Sequence, residues 1–277
     1  MGISIGNSVT EQFEAKLIRI RTLSKTTRDF RFRRLDGSGI PFEPGQFFRF
    51  SFSDDQGEFE RPYSLCDFTD GAEDELDLLI SVVDNGRASR YLFNCEVGIN
   101  TRVTGPYGRL VIPRTLPNRL FLVATSVGLA PFLPMLNPLG KHMADSGLEV
   151  ILLLGARDRS EFLYRDELLA FSDKYPGFSL VLCYSREGGD LLPYERHSYV
   201  TAQLNSFKPD AGTDHFLVCG NPNMINDVYD LLKQKGFKAK QVVREKYVFA
   251  RQEKVTGKAS LTEAQKQLIA EKLRKYR

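Results

Sequence analysis

A chain of 277 residues, 42% hydrophobic and 26% charged, has room for two ordinary domains with full cores and needs no disulfide staple. With 38 basic against 35 acidic residues the net charge is +3, too balanced for nucleic acid as the main partner, although it allows a local basic patch. The four cysteines, Cys66, Cys95, Cys183 and Cys219, form no C-x-x-C pair, so no metal site is expected and a reducing compartment is the simplest setting.

The opening MGISIGNSVT lacks a charged segment leading into an apolar one, and it carries Gly6 where a myristoylation signal needs Ser or Thr. The longest apolar runs are strand-length, far below the ~20 residues of a membrane span. A cytoplasmic protein with no membrane partner is therefore expected. Residues 13–23 alternate like a half-buried strand, with Leu17 and Ile18 interrupting the pattern. RDFRFRRL sets Phe30 and Phe32 against arginines, and GQFFRFSF does the same with Phe48, Phe50 and Phe52. Residues 75–83 and 100–113 continue the alternation. Turn clusters at 36–39, 41–46 and 54–60 separate these runs, a spacing that predicts an antiparallel barrel or sandwich. One helix, over 86–95, is expected to interrupt it.

From Arg119 the texture changes. RLFLVAT is a continuous apolar run, as a strand covered on both faces requires. Strand patterns at 149–156, 179–185, 215–220 and 240–250 then alternate with helical patterns at 131–144, 161–175, 199–205 and 223–236, which predicts a parallel α/β sheet. The boundary falls near 113–118, giving units over 1–115 and 116–250. The remainder, 251–277, is rich in helix formers. Leu261, Leu268 and Leu273 lie at roughly heptad spacing, behind a possible cap at Ser260 or Thr262.

Several short motifs could carry chemistry. In RPYSL, Arg61 and Tyr63 share a strand face and could present charge and ring to a flat anionic ligand, with Pro62 and Ser64 beside them. A plain edge strand with a surface arginine fits equally well. GRASRYL starts a helix after Gly86, where N–H groups at Ala88 and Ser89 favour an anion; an ordinary helix start is the competing explanation. GPYG, residues 105–108, is in itself only a turn. VATSVGLAPF leaves a buried strand and enters a helix, the right setting for pyrophosphate at Thr125, Ser126, Val127 and Gly128, but it lacks G-x-G-x-x-G. VCGNPNMI brings Cys219, Gly220, Asn221 and Pro222 to the carboxyl end of another strand, where open α/β sheets bind ligands; Cys219 could equally be a small buried hydrophobe. YSRE ends the strand before it with Ser185 and Arg186, either a phosphate site or a solvated loop.

In this order, R-x-Y-S, G-x-A-S, G-P-Y-G, x-G-x-A-P-F and C-G-N-P-x-M-I, the motifs resemble the ferredoxin–NADP reductase family over residues 13–249. The resemblance implies an antiparallel FAD-binding β-barrel domain, a parallel NADP-binding α/β domain, and an oxidoreductase activity. It implies that Arg61, Tyr63 and Ser64 contact the flavin, that Ala88 and Ser89 bind its pyrophosphate, and that Gly128 and its neighbours hold the nucleotide's. Cys219 and Gly220 would line the nicotinamide pocket. Ser185, Arg186 and Arg157 of GARDRS would bind a 2′-phosphate, which favours NADPH. Ser64, Cys219 and Tyr247 are the candidate catalytic residues, with Tyr247 or Phe249 the aromatic that stacks on the flavin. Hydride would pass from NADPH to FAD and electrons singly to ferredoxin or flavodoxin, with Arg31, Arg33 and Arg34 available to steer an acidic partner, or serving only as a solvated strand face. A monomer is the expected state. Two alternatives stay open: an NADH-dependent reductase component of an oxygenase system, and a flavin-binding redox sensor without turnover. The departures are Ser126 and Val127 where the family carries Gly and Thr, which predicts a weakened or reshaped nucleotide loop, and the extension beyond Phe249.

Overall fold

Alternating aromatic and charged residues build the first half of the molecule. The computed structural model describes residues 10–67 and 73–247. Its first six strands are β1 (Glu11–Thr22), β2 (Thr27–Arg34), β3 (Phe47–Asp54), β4 (Gly57–Ser64), β5 (Glu75–Ser81) and β6 (Asn100–Tyr107). They form one antiparallel sheet in the order β4-β3-β6-β1-β2-β5. Phe30, Phe32, Phe48 and Phe50 are fully buried on its inner face. The interruption read at Leu17–Ile18 is a register shift between Leu17 and Arg19 against β2. The sheet curls into a half-barrel whose edge strands come together through one bridge, Leu65 to Leu78. Helix α1 (Arg87–Asn94) lies between β5 and β6 and packs Tyr91 against Phe52 and edge-to-face on Phe59, at ring separations of 5.4 and 5.6 Å.

Arg31, Arg33 and Arg34 of β2 all meet carboxylates. Arg31 pairs with Asp77 and Glu75, Arg33 with Glu75, and Arg34 with Glu11 and Asp36. These pairs stitch neighbouring strands together.

Residues 108–118 carry no strand or helix and lead into the second sheet. Its strands are β7 (Arg119–Thr125), β8 (Glu149–Ala156), β9 (Phe178–Tyr184), β10 (Glu195–His197), β11 (Asp214–Gly220) and β12 (Val242–Lys246). All pairings are parallel, in the order β10-β9-β8-β7-β11-β12. Helices α2 (Leu133–Ser146), α3 (Arg165–Lys174), α4 (Val200–Ser206) and α5 (Pro222–Gln234) cover both faces. On β7, Leu120, Leu122 and Ala124 enter one buried cluster while Phe121 and Val123 enter another, as the continuous apolar run requires. The first of these clusters also holds Cys66, Leu79 and Leu110 of the barrel side, so the two sheets share a core.

Helix α2 starts later than expected because residues 126–132 wind as a 3₁₀ helix first. Helix α3 is shorter than its sequence pattern because Tyr164, just before it, takes a left-handed conformation (φ 53°). Strand β10 was not legible: three residues, Glu-Arg-His, give no apolar alternation to read. Phe249 and the helical pattern over 251–277 lie outside the described residues. No helix among the described residues is long and apolar enough to cross a membrane.

Candidate functional site

The strand order of the second sheet reverses between β7 and β11, and ligands of open α/β sheets bind at the carboxyl ends beside such a reversal. Thr125 ends β7 and Gly220 ends β11 there. The Thr125 hydroxyl accepts from the Asn221 N–H at 2.9 Å, tying the two strand ends together. Gly220 has φ +129°, and a Cβ on it would come within 2.4 Å of Thr125 Oγ1. Asn221 turns its side chain into α5 as an N-cap, accepting from Asn223 N at 2.8 Å, with Pro222 in the first turn.

The single glycine of the S-V-G loop marks the tightest point. A Cβ on Gly128 would lie 2.4 Å from Cys219 O and 2.6 Å from Gly220 Cα. Within the protein the closest backbone approach of this loop falls at Gly128. Ser126 is exposed, and it pays for its place with a left-handed backbone, φ 50°. Val127 is buried in the cluster that contains Cys66 and Leu79, where a threonine hydroxyl would have no water. The valine thus serves the contact between the sheets.

Four side chains from three segments meet where the barrel rim touches this strand edge. Ser64, at the end of β4, donates its hydroxyl to Glu245 Oε1 at 3.0 Å. Glu245 is the register partner of Cys219 across β12 and β11. Tyr247 donates its N–H to Gly220 O at 3.3 Å and carries its hydroxyl to the side chains of Ser64 and Cys219. Gly108 of GPYG closes the group: its φ is +105°, and a Cβ there would sit 3.1 Å from the Phe47 ring and 3.6 Å from Glu245 Oε2. Burial raises the Glu245 carboxyl above its ordinary range, with Ser64 pulling it partly back. Burial also pushes the Cys219 thiol and the Tyr247 phenol well up, so both stay neutral. Glu245 was not among the residues picked from the sequence. The signal was its place two residues before Tyr247 in REKYVF, since strand residues two apart share a face.

The barrel side holds the other group. Phe59, Arg61 and Tyr63 share one face of β4; the Phe59 ring lies under the Arg87 guanidinium of α1 at 4.4 Å, and Tyr63 meets Phe50 at 6.0 Å. Pro62 points the other way and is exposed. Arg61 donates to Glu60 O at 2.7 Å and has no carboxylate partner among the described residues. No side chain caps the first turn of α1. A Cβ on Gly86 would come within 2.8 Å of Ser89 Oγ and 2.9 Å of Val83, so glycine is required there. The Ser89 hydroxyl faces inward, accepting from Val83 N at 3.1 Å, and with Ala88 it is buried. What this turn can offer an anion is therefore its backbone N–H groups, a donor set that suits a phosphate oxygen.

Arg157, Ser185 and Arg186 stand at the ends of the neighbouring strands β8 and β9. Arg186 N donates to Arg157 O at 2.9 Å, and Ser185 N to Ala156 O at 3.2 Å. The Arg157 side chain is 62% exposed, with a loose contact to Glu161 at 3.8 Å. Arg186 is exposed and makes no ion pair among the described residues. Arg159, by contrast, is committed to Glu195 and Glu187 and ties the 186–195 segment to the sheet.

Comparison with known proteins agrees with this layout. The oxidoreductase FAD-binding domain family matches residues 14–112, and the oxidoreductase NAD-binding domain family matches residues 122–230. The chain is 31% identical over 244 residues to ferredoxin–NADP reductase B of Sorangium cellulosum, a match covering 86% of this chain and 98% of that protein. It is 25% identical over 250 residues to the reductase component of propane 2-monooxygenase from Rhodococcus jostii, covering 88% of this chain and 65% of that one. Among solved structures, a ferredoxin NADP+ reductase from Neisseria gonorrhoeae superposes with a TM-score of 0.72 at 22% identity, over 85% of this chain and 98% of the other. A cytochrome P450 reductase from Amycolatopsis gives 0.75 at 23% identity, over 86% and 70%. At these identities the structural matches speak for the fold.

Proposed function

Because the chain belongs to the ferredoxin–NADP reductase family of oxidoreductases, we propose that it moves hydride from NADPH to FAD and passes electrons singly to a ferredoxin or flavodoxin. The observation that carries this is the Ser64–Glu245 hydrogen bond, made where the barrel rim meets the reversal point of the parallel sheet. Bound FAD would supply an acceptor that takes two electrons as hydride and releases them one at a time. Arg61 and the N–H groups opening α1 would hold its pyrophosphate, and Tyr63 and Tyr247 would flank its ring system. Gly128 and the Thr125–Asn221 clasp would bring the nucleotide backbone to the strand ends. Cys219, neutral and fully buried, would wall the nicotinamide side without competing as a nucleophile. Glu245, whose carboxyl holds a proton more readily than an exposed one, would keep that proton beside the Ser64 hydroxyl, next to the reacting rings.

Arg157 and Arg186 support NADPH over NADH. Two adjacent guanidiniums with spare donors suit a phosphate dianion. The test is anaerobic mixing of the purified flavoprotein with each nucleotide. NADPH should bleach the flavin, and NADH should do so only at much higher concentration. Replacing both Arg157 and Arg186 by Ala should weaken NADPH about tenfold to a hundredfold, from lost charged hydrogen bonds, and leave NADH unchanged. A flavin that neither nucleotide bleaches would leave the sensor role standing instead.

A further inference from the structure

The two sheets meet a second time, away from Ser64. Tyr164 precedes α3 and is 6% exposed. Its hydroxyl donates to Asp29 Oδ2 of β2 at 3.2 Å. With that proton committed, the Cys66 thiol is the donor in the 3.5 Å contact between Cys66 Sγ and the same hydroxyl. Asp29 also takes Arg21 at 3.0 Å and Arg19 at 3.3 Å. Arg21 then bridges back across the junction, with its guanidinium 5.2 Å from the centre of the Tyr164 ring and 3.6 Å from Glu167 of α3.

Three features set this contact apart from an ordinary ion pair. Tyr164 holds a left-handed backbone, and it is the only aromatic among the four non-glycine residues with positive φ in the described chain. A bulky side chain stays in that region only where its surroundings over-determine it. Next, both ends of the contact run directly into the candidate site. Cys66 lies two residues beyond Ser64 and is fixed by donating its N–H to Asp77 O at 2.9 Å. Tyr164 closes the segment that starts at Arg157, on the nucleotide edge. Finally, Cys66, Tyr164 and Val127 of the nucleotide loop all belong to one buried cluster, the core that the two sheets share. The segment carrying Ser64 is thus anchored in that shared core as well as bonded to Tyr164.

We propose that Tyr164 is a positioning residue for hydride transfer: its hydroxyl, held between Asp29 and Cys66, fixes the nucleotide sheet against the barrel and so sets the spacing between flavin and nicotinamide. This rests on the proposal that the chain binds both. A lost hydroxyl would leave each sheet intact and change their separation by a fraction of an ångström, a distance on which reaction between two bound groups depends steeply.

The test compares wild type with Y164F, which keeps the ring. Three quantities are measured: the limiting rate and KM of anaerobic flavin reduction by NADPH, the long-wavelength absorbance of nicotinamide stacked on flavin, and hydrogen exchange at the Cys66 amide. Y164F should keep its FAD and its KM. Its limiting rate should fall about tenfold, as a small misplacement of reacting groups predicts, with weaker stacking absorbance and faster exchange at Cys66. D29N should act in the same direction, and the double variant should be no worse than the stronger single one. A wild-type rate and stacking band in Y164F would overturn the proposal. If Y164F cannot retain FAD, D29N, which keeps the phenol and removes the charge it is bonded to, takes its place; a wild-type rate and band there would overturn it equally. A wild-type protein that neither nucleotide reduces would instead remove the function on which the proposal rests.

Discussion

Replacing Gly128 by Ala puts a methyl group where three backbone atoms already stand. The added Cβ would lie 2.4 Å from Cys219 O, 2.6 Å from Gly220 Cα and 2.7 Å from Cys219 C, where ordinary contact begins at 3.4 Å. The loop or the end of β11 must therefore yield by about 0.6 Å to reach the 3.0 Å below which a Cβ essentially never sits, and by about 1.0 Å to restore ordinary contact, and no side chain can rotate away to allow it. Overpacking of this kind costs about 1–3 kcal/mol. For a chain of this size each kcal/mol lowers Tm by roughly 2–4 °C, so a fall of several degrees is expected. The functional loss should be larger, because the strand end that moves carries Cys219 and is bonded to Tyr247. A shift of about 1 Å near reacting groups can cost up to ~100-fold in rate. The assay is thermal melting of the FAD-loaded protein beside anaerobic flavin reduction by NADPH. Ser126→Gly is the control of opposite sense, since Ser126 is exposed and at φ 50°. Its relief of left-handed strain, roughly 1 kcal/mol, offsets the added freedom of the unfolded chain, leaving stability and rate near wild type. A Gly128→Ala protein that melts and reacts like wild type, or a Ser126→Gly protein that is the more damaged, would refute this account of the loop.

Glu245 makes a prediction in pH. Burial raises its carboxyl above the unfolded value of 4.5, so the stability it contributes is present below that value and is lost as pH rises through the folded one. Glu245→Gln removes that loss: its Tm relative to wild type should climb from pH 4.5 towards neutral while flavin reduction slows. A pH-independent Tm difference would contradict it. Arg119 predicts stability alone. It meets the fully buried Asp214 at 2.6 and 2.8 Å, so Arg119→Met strands a buried carboxylate at a cost of about 3–5 kcal/mol. Adding Asp214→Asn should recover much of it in denaturant unfolding; a loss below ~1 kcal/mol for the single variant would mean that the pair behaves like a surface bridge.

Both sheets could be read from the chain because each follows one strong period. The phenylalanines of β2 and β3 alternate with arginines, and RLFLVAT is apolar throughout. Even the bulge at Ile18 showed as a break in alternation. What escaped depends on atoms far apart in sequence. Glu245 looks like one more charged strand residue until Ser64 arrives 181 positions away to bond it. Arg31, Arg33 and Arg34 look like a free basic stripe until their neighbouring strands supply carboxylates. Tyr164 sits inside a good helical pattern, and only tertiary contact explains why the helix starts after it.

The S-V-G loop shows why its departures from the family pattern are compatible with a working site. A glycine is demanded at a position by one of two things: a positive φ, or a neighbour too near for a Cβ. At Gly128 the second demand is absolute, because the neighbour is the backbone of β11. At Ser126 only the first applies, and a serine meets it at a cost of roughly 1 kcal/mol. At Val127 neither applies. The side chain there is buried in the core that the two sheets share, the cluster that also holds Cys66 and Leu79. The residue lost to phosphate recognition is gained by the junction, and the same Cys66 is gripped again by Tyr164. Affinity for the nucleotide and alignment of the sheets therefore draw on one loop, so a change made to tighten the first, such as Val127→Thr, should loosen the second.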